Sequence, residues 1–175
     1  MNICLVRHGE TDWNRAGRLQ GREDIPLNHT GLRQAEAAAC YLAKEPWAAM
    51  IASPLLRAKQ TAQIIADALG SGAVTTNVRF IERDYGKASG LIEEQRARRF
   101  PNGRYEGMEP WDALYKRVWD GLRLVTEQYR DQNVIIVSHG GVINALLAAL
   151  SNHVIGSGKN RLQNGCVNML RYENG

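Results

Sequence analysis

Hydrophobic and polar positions follow two alternating patterns along the chain. A short apolar run ending at Leu5-Val6 gives way to Arg7-His8-Gly9-Glu10-Thr11, and Val134-Ile135-Ile136-Val137 gives way to Ser138-His139-Gly140-Gly141. Continuous apolar runs of this length that stop abruptly at polar residues predict strands buried on both faces. Ala49-Met50-Ile51-Ala52 reads as a further buried strand, Val74 to Val78 as another leading to a strand-to-loop exit at Phe80-Ile81-Glu82, and Val167 to Tyr172 as an edge strand. Between these runs the period becomes helical. Leu32, Ala35, Ala39 and Leu42 predict the inward face of a helix over 29–44, capped by Asn28. Leu55, Ala58, Ala62, Ile65 and Leu69 predict a second helix, opened by Ser53 as N-cap with Pro54 at the first helical position and stopped by Gly70 to Gly72. Leu114, Val118, Leu122, Val125 and Tyr129 mark a helix of about 20 residues before the second histidine strand, and Ile143, Leu146, Leu147 and Leu150 mark one after it. The stretches 12–27 and 86–110 lack periodicity, apart from a short helix around 92–100, and predict loops. Strands alternating with helices predict a single α/β domain over 1–175, a three-layer α/β/α sandwich whose mostly parallel central sheet ends in an edge strand.

At 175 residues the chain is long enough for one domain that buries roughly 70% of its unfolded surface. Apolar content of 44% and charged content of 23% exclude disordered and membrane classes. No apolar stretch approaches the roughly 18 residues that span a bilayer. The chain opens on a strand-like run rather than a secretory signal, so the expected compartment is the cytoplasm. Cys4, Cys40 and Cys166 are odd in number, far apart and set among apolar residues, and are expected to be small buried hydrophobes. A net charge of +4 suits an anionic partner. Lys and Arg form no long block and the 7% aromatic content offers no stacking platform, which favours a small phosphate over nucleic acid.

Two of the four histidines, His8 and His139, share one context, at the exit of a buried strand and before glycine. In open α/β sheets ligands bind beyond the carboxyl ends of the strands, so neighbouring strands would bring both imidazoles to one place. Arg57, in the first turn of the second helix, sets a guanidinium beside free backbone N–H groups, and Arg7 adds a second fork matched to phosphoryl oxygens. Each of these residues alone has an ordinary structural reading; together they describe a phosphate pocket. His29 and His153 lack matching partners and read as exposed or capping residues. No His-x-His or paired-aspartate motif accompanies His8 or His139, so no metal site is expected.

The order and wording of these segments resemble the histidine phosphatase superfamily, the phosphoglycerate-mutase-like group. Arg7-His8-Gly9-Glu10-Thr11 with Trp13-Asn14 resembles its opening signature, and Leu27-Asn28 with Gly31 and Gln34-Ala35 its first helix. Ser53-Pro54-Leu55-Leu56-Arg57-Ala58 with Gln60-Thr61-Ala62 is similar to its second signature, and Ser138-His139-Gly140-Gly141 to its last. The resemblance implies a cofactor-free phosphomonoesterase in which His8 is the nucleophile that takes the phosphoryl group as a phosphohistidine. Positive charge from Arg7 and Arg57 would keep that imidazole neutral. Arg7, Arg57 and His139 would stabilise the transferring group, helped by Asn14 and the Gly140 N–H, with Gln20 and Gly21 of the 12–27 loop also meeting substrate. Glu82, in Glu82-Arg83-Asp84-Tyr85-Gly86, would be the general acid and base, with Asp84 as rival. The 56 residues between Glu82 and His139 resemble the smaller phosphatases rather than mutases with their larger insertion, although Glu82-Arg83 with Tyr85-Gly86 is nearer the mutase wording. The partner is a small phosphomonoester, with no nucleic acid or membrane expected and no oligomeric state indicated. Phosphoglycerate mutase chemistry and a non-catalytic phospho-ligand module are the alternatives. Arg96, Arg98, Arg99 and Arg104 are candidates for a second anionic group of the substrate, and Trp13 for a pocket wall, with Trp47 and Trp119 read as packing residues.

Overall fold

A computed structural model describes residues 1–173, and Asn174 and Gly175, the end of the expected domain, lie outside the described residues. The chain runs β1 (Asn2–Arg7), α1 (Asp12–Arg15), α2 (His29–Leu42), β2 (Ala49–Ala52), α3 (Leu56–Leu69), β3 (Val74–Thr76), α4 (Glu93–Arg99), α5 (Trp111–Gln128), β4 (Val134–Ser138), α6 (Gly140–Leu150) and β5 (Val167–Arg171). The sheet order is β3-β2-β4-β1-β5, parallel throughout except for antiparallel β5 at the edge. This is the expected mixed α/β architecture.

The two sheet faces follow from the period of two in a strand. Ile3, Leu5, Ile51, Val134 and Ile136 point to one face, where Leu114, Val118, Leu122 and Val125 of α5 and Val142, Ile143 and Leu146 of α6 cover them. Cys4, Val6, Met50, Ala52, Ile135 and Val137 point to the other, under Ala38, Ala39 and Leu42 of α2 and Ala58, Ala62 and Ile65 of α3. The alanines on that second face let α2 and α3 lie close to the sheet.

Several expectations shift. The 12–27 stretch contains α1, whose N-cap Thr11 accepts a hydrogen bond from the Asn14 N–H. Helix α3 starts two residues later than expected, with Leu55 as N-cap, and the Ser53 hydroxyl accepts from the Leu55 N–H at 3.3 Å in the turn before it. The Val74–Val78 strand stops at Thr76 and continues as a 3-10 turn over Val78–Phe80, so Glu82 follows a turn rather than a strand. Leu32 and Leu150 are exposed although placed on buried faces, as α2 turns Gly31, Ala35 and Ala38 inward instead and Leu150 ends α6. Trp119 is exposed on α5, whereas Trp47 packs beside α2 with its indole N–H bonded to the Leu42 carbonyl at 2.8 Å. Cys4 is buried, which pushes its thiol up to about 12, but Cys166 is half-buried and Cys40 sits on the outer face of α2 in solvent.

Candidate active site

Strands β1 and β4 are parallel neighbours in a register that pairs Arg7 with Ser138, so the next residue of each, His8 and His139, leaves the sheet at the same level. A further bond from the His8 N–H to the Ser138 carbonyl, 2.9 Å, extends the ladder by one residue. The two rings lie with centroids 5.1 Å apart, inclined at 58°. Both are buried, at 3% and 0% exposure, so their protonation is set by the protein rather than by bulk water.

The turn after β1 is held by backbone contact and by polar side chains. A Cβ on Gly31 would stand 2.1 Å from the Glu10 carbonyl oxygen, and one on Gly9 would stand 2.3 Å from that of Gly31, so the close approach of this turn to α2 requires both glycines. Thr61 Oγ1 accepts from the Gly9 N–H at 3.0 Å, Gln34 from the Glu10 N–H at 2.7 Å and Gln60 from the Leu27 N–H at 2.9 Å. Residues of the expected signatures thus satisfy the donors of the loop that presents His8.

Hydrogen bonding fixes the His8 tautomer. Nδ1 is 2.7 Å from the Gly9 carbonyl, which can only accept, so the ring proton sits there. Nε2 keeps its lone pair and receives the Arg57 Nε–H at 3.2 Å. Burial, then the charges of Arg57 and Arg7, holds the His8 pKa well below the ordinary imidazole value of 6.5, against the opposing bond to Gly9. Arg57 is itself buried and drawn down to about 10, still a cation at neutral pH; its other nitrogens donate to the carbonyls of Glu23 at 2.7 Å and Gly21 at 2.8 Å. No salt bridge draws it from the cleft among the described residues.

His139 Nε2 is 2.6 Å from Ser53 Oγ, and its Nδ1 is buried with no partner among the described residues. Arg7 donates to the Leu162 carbonyl, and its Nε is likewise buried and unpaired among the described residues. An unpaired guanidinium N–H in a buried cationic pocket is costly unless an acceptor is bound, and an oxyanion supplies one. Burial, then Arg57, His8 and Arg7, keeps His139 neutral, well below 6.5.

The cleft above has a volume of about 320 Å³, at the small end of ligand pockets. Arg7, His8, Asn14, Gln20, Gly21, Arg57, Glu82 and Gly140 line it; His139, whose ring is beside that of His8, does not. Glu82 is 8% exposed and accepts from the N–H groups of Arg83 at 2.8 Å and Gly141 at 3.1 Å, the latter at the start of α6. Asp84 does not line the cleft; it caps the turn at Gly86. The expected second-anion arginines are elsewhere: Arg96 bonds the Leu91 carbonyl, Arg98 pairs with Glu94, Arg99 stacks on Phe100 and Arg104 is exposed. Trp13 packs over Gly90 instead of forming a wall. His29 and His153 are exposed, away from the cleft.

Missed by sequence reading were Tyr85, Asn144, Asn160 and Arg161 on the cleft wall, and Asn164, whose side chain donates to the His8 carbonyl at 3.1 Å. Four of these follow helix α5, in segments where a polar residue carries no periodic signal. Among the described residues no group of three or more His, Cys, Asp or Glu side chains is placed to hold a metal ion. No helix of the described residues is long and apolar enough to cross a membrane.

Residues 3–175 match the profile of the histidine phosphatase superfamily (branch 1). The chain is 42% identical over 170 residues to the uncharacterized phosphatase PhoE of Bacillus subtilis (strain 168), covering 97% of this chain and 88% of the relative. It is 35% identical over 181 residues to a metal-independent phosphoserine phosphatase of Arabidopsis thaliana, covering 96% and 75%. Among solved structures it is similar to a mycobacterial glucosyl-3-phosphoglycerate phosphatase complexed with VO3, with a TM-score of 0.86, 29% identity and coverage of 97% and 92%.

Proposed function

The chain belongs to the histidine phosphatase superfamily and is a phosphatase, and on that premise we propose that it hydrolyses small phosphomonoesters through a covalent phosphohistidine on His8. The carrying observation is the His8 ring, whose Nε2 lone pair faces Arg57 in a buried cationic cleft while Nδ1 is tied to Gly9. A neutral imidazole of fixed tautomer beside two guanidinium groups is an activated nucleophile within an oxyanion site.

In the first step Nε2 attacks phosphorus and the bond to the ester oxygen breaks. The Arg57 Nε–H leaves the ring nitrogen and turns to a phosphoryl oxygen, so the cation that quietened the nucleophile now stabilises the charge it transfers. Glu82, protonated, gives its proton to the departing oxygen. Water then loses a proton to the Glu82 carboxylate as it attacks phosphorus, the P–N bond breaks, its electron pair returns to Nε2, and phosphate departs. Arg7 holds the phosphoryl group throughout, Asn14, Gln20, Gly21 and the Gly140 N–H complete its surroundings, and His139 packs beside the His8 ring.

The cleft size supports a small metabolite, and the substrates named for relatives, phosphoserine and glucosyl-3-phosphoglycerate, support an alcohol portion bearing a carboxylate. Arg161 on the cleft wall makes no hydrogen bond or salt bridge among the described residues and is available for such a group. We read residues 1–175 as one domain, and three unpaired cysteines support a reducing cytoplasmic setting.

The test is hydrolysis of an aryl phosphate and of a panel of small phosphomonoesters by the chain and by His8→Ala. Enzyme quenched in alkaline detergent should carry alkali-stable, acid-labile phosphate on His8, and His8→Ala should lose turnover by at least about 10³-fold, the scale set by losing a nucleophile. Full turnover in the variant would falsify the assignment. Primer-dependent phosphoglycerate isomerisation faster than hydrolysis would make the enzyme a mutase instead.

A further inference from the structure

Glu82 stands on a stretch of chain, Ile81 to Tyr85, that belongs to no helix or strand. Among the described residues its carboxylate is bound only by the N–H groups of Arg83 and Gly141, so its location follows from wherever the surrounding backbone is held. Apart from an isolated antiparallel bridge of Tyr85 to Met108 and a backbone bond from the Glu109 N–H to the Asp84 carbonyl, that backbone has no ladder among the described residues and must satisfy its other carbonyls in another way.

Arg117 of α5 supplies most of what is missing. Nη1 donates to the carbonyls of Arg79 and Ile81, both at 2.7 Å, and Nη2 to that of Glu82 at 3.2 Å. The remaining donors grip Glu109, Nε to Oε1 at 2.6 Å and Nη2 to Oε2 at 2.9 Å. All five N–H groups of the guanidinium are spent. Glu109 in turn holds the far side of the same stretch: its Oε2 accepts from the Asp84 N–H at 3.3 Å, its backbone N–H donates to the Asp84 carbonyl at 2.9 Å, and its carbonyl accepts from Arg83 Nε at 2.8 Å. The two side chains are 19% and 10% exposed, in contrast to the surface pairs of α4, α5 and β5, and neither residue lines the cleft. Burial works against the Glu109 carboxylate, but Arg117, the Asp84 N–H and Arg22 outweigh it and hold its pKa below the ordinary value, so the pair stays ionised.

We propose that Arg117 and Glu109 form a positioning unit for the proton donor, a planar fork and its carboxylate that fix the backbone from 79 to 84 and thereby the reach of Glu82 to the leaving oxygen. The inference rests on the reading of Glu82 as general acid. Only arginine has the donors for it: lysine would keep the charge but could not bond three carbonyls and both carboxylate oxygens from one plane. A displacement near 1 Å of a catalytic group costs up to about 10²-fold, while the unit touches neither substrate nor phosphoryl group.

The experiment separates positioning from simple stabilisation by the leaving group. An alkyl phosphate needs its departing oxygen protonated, whereas a nitrophenyl phosphate departs without help. kcat/KM, which reports the steps through departure of the alcohol, is therefore measured for both in Arg117→Gln, Arg117→Lys, Glu109→Gln, Glu82→Gln and the double variant Glu82→Gln/Arg117→Gln, with folding followed by circular dichroism. Arg117→Gln and Arg117→Lys should each lose about 10- to 100-fold on the alkyl ester and less than about threefold on the aryl ester, and in the double variant Arg117→Gln should add nothing to the alkyl loss of Glu82→Gln. Should Arg117→Gln not fold, Glu109→Gln, which keeps its hydrogen-bonding shape, must show the same selective loss. Equal losses on both esters, or rescue by lysine, would overturn the inference while leaving Glu82 as the acid. Absence of leaving-group selectivity in Glu82→Gln itself would instead overturn the role of Glu82, and the positioning inference with it.

Discussion

Two buried imidazoles with centroids 5.1 Å apart, beside Arg7 and Arg57, cannot both be charged without repelling each other and the guanidinium groups. Both are therefore held neutral, and burial contributes more to this than the arginines. The chain order of Arg7-His8 made the charge effect readable, but burial depends on α2, α3 and α6 closing over the sheet, which no local stretch records. Because unfolding would restore an ordinary value near 6.5 to each ring, the unfolded chain binds more protons below that pH, and stability is fully present above 6.5 and falls as pH drops. The loss approaches about 1.4 kcal/mol per pH unit for each ring, or about 2.7 for both. Between pH 6.5 and 5 these rings dominate, since Glu109, held below the usual carboxylate value of 4.5, contributes only at lower pH. Urea denaturation at several pH values should show this slope, reduced by about half in His8→Asn; a stability independent of pH over this window would contradict the neutral, buried state of the rings.

At the scale of elements, each histidine is placed by a strand and by what seals its exit. β1 and β4 were legible because each is a continuous apolar run that stops at a polar residue, a pattern that survives without knowledge of the neighbours. The start of α3 was not, since Ser53-Pro54 carries the local signs of a cap while its hydroxyl is shared between the Leu55 N–H and His139, 86 residues away. Likewise β3 was read too long because Val78 is apolar, although it is exposed and begins a 3-10 turn. The turn after β1 depends on the contact of Gly9 and Glu10 with Gly31 of α2, a contact between backbones that only glycine at 9 and 31 allows. Gly31→Ala would force its Cβ into the Glu10 carbonyl, where no flexible side chain can yield, and overpacking of this kind costs about 1–3 kcal/mol. The same shift moves Gly9 and the His8 ring it anchors. Gly31→Ala should therefore lower the urea midpoint and reduce turnover of an aryl phosphate together, and unchanged values of both would show that the turn can be built differently.

For the whole molecule, the two core faces set α2 and α3 against α5 and α6 across a sheet whose central strands open toward one cleft, and most of this plan was readable from the alternation of strand and helix periods. The cleft's far wall was not, because Asn144 is one polar position on an apolar helix and 152–165 has no period at all. Once assembled, Arg7, Arg18, Arg57 and Arg161 face a single lining carboxylate, Glu82, so much of the +4 net charge has its counterpart here. Such a concentration of like charge opposes the compact state and is relieved by an anion that accepts from the unpaired Arg7 Nε–H. Binding to the folded chain alone stabilises it by mass action, by about 2.7 kcal/mol at a hundred times Kd. For a domain of this size that is a rise in Tm of roughly 5–10 °C. Orthophosphate should produce this rise at neutral pH and chloride at matched ionic strength should not, because chloride screens the charges without bridging the donors. Equal effects of the two anions would mean that the cleft concentrates charge without being shaped for a phosphoryl group.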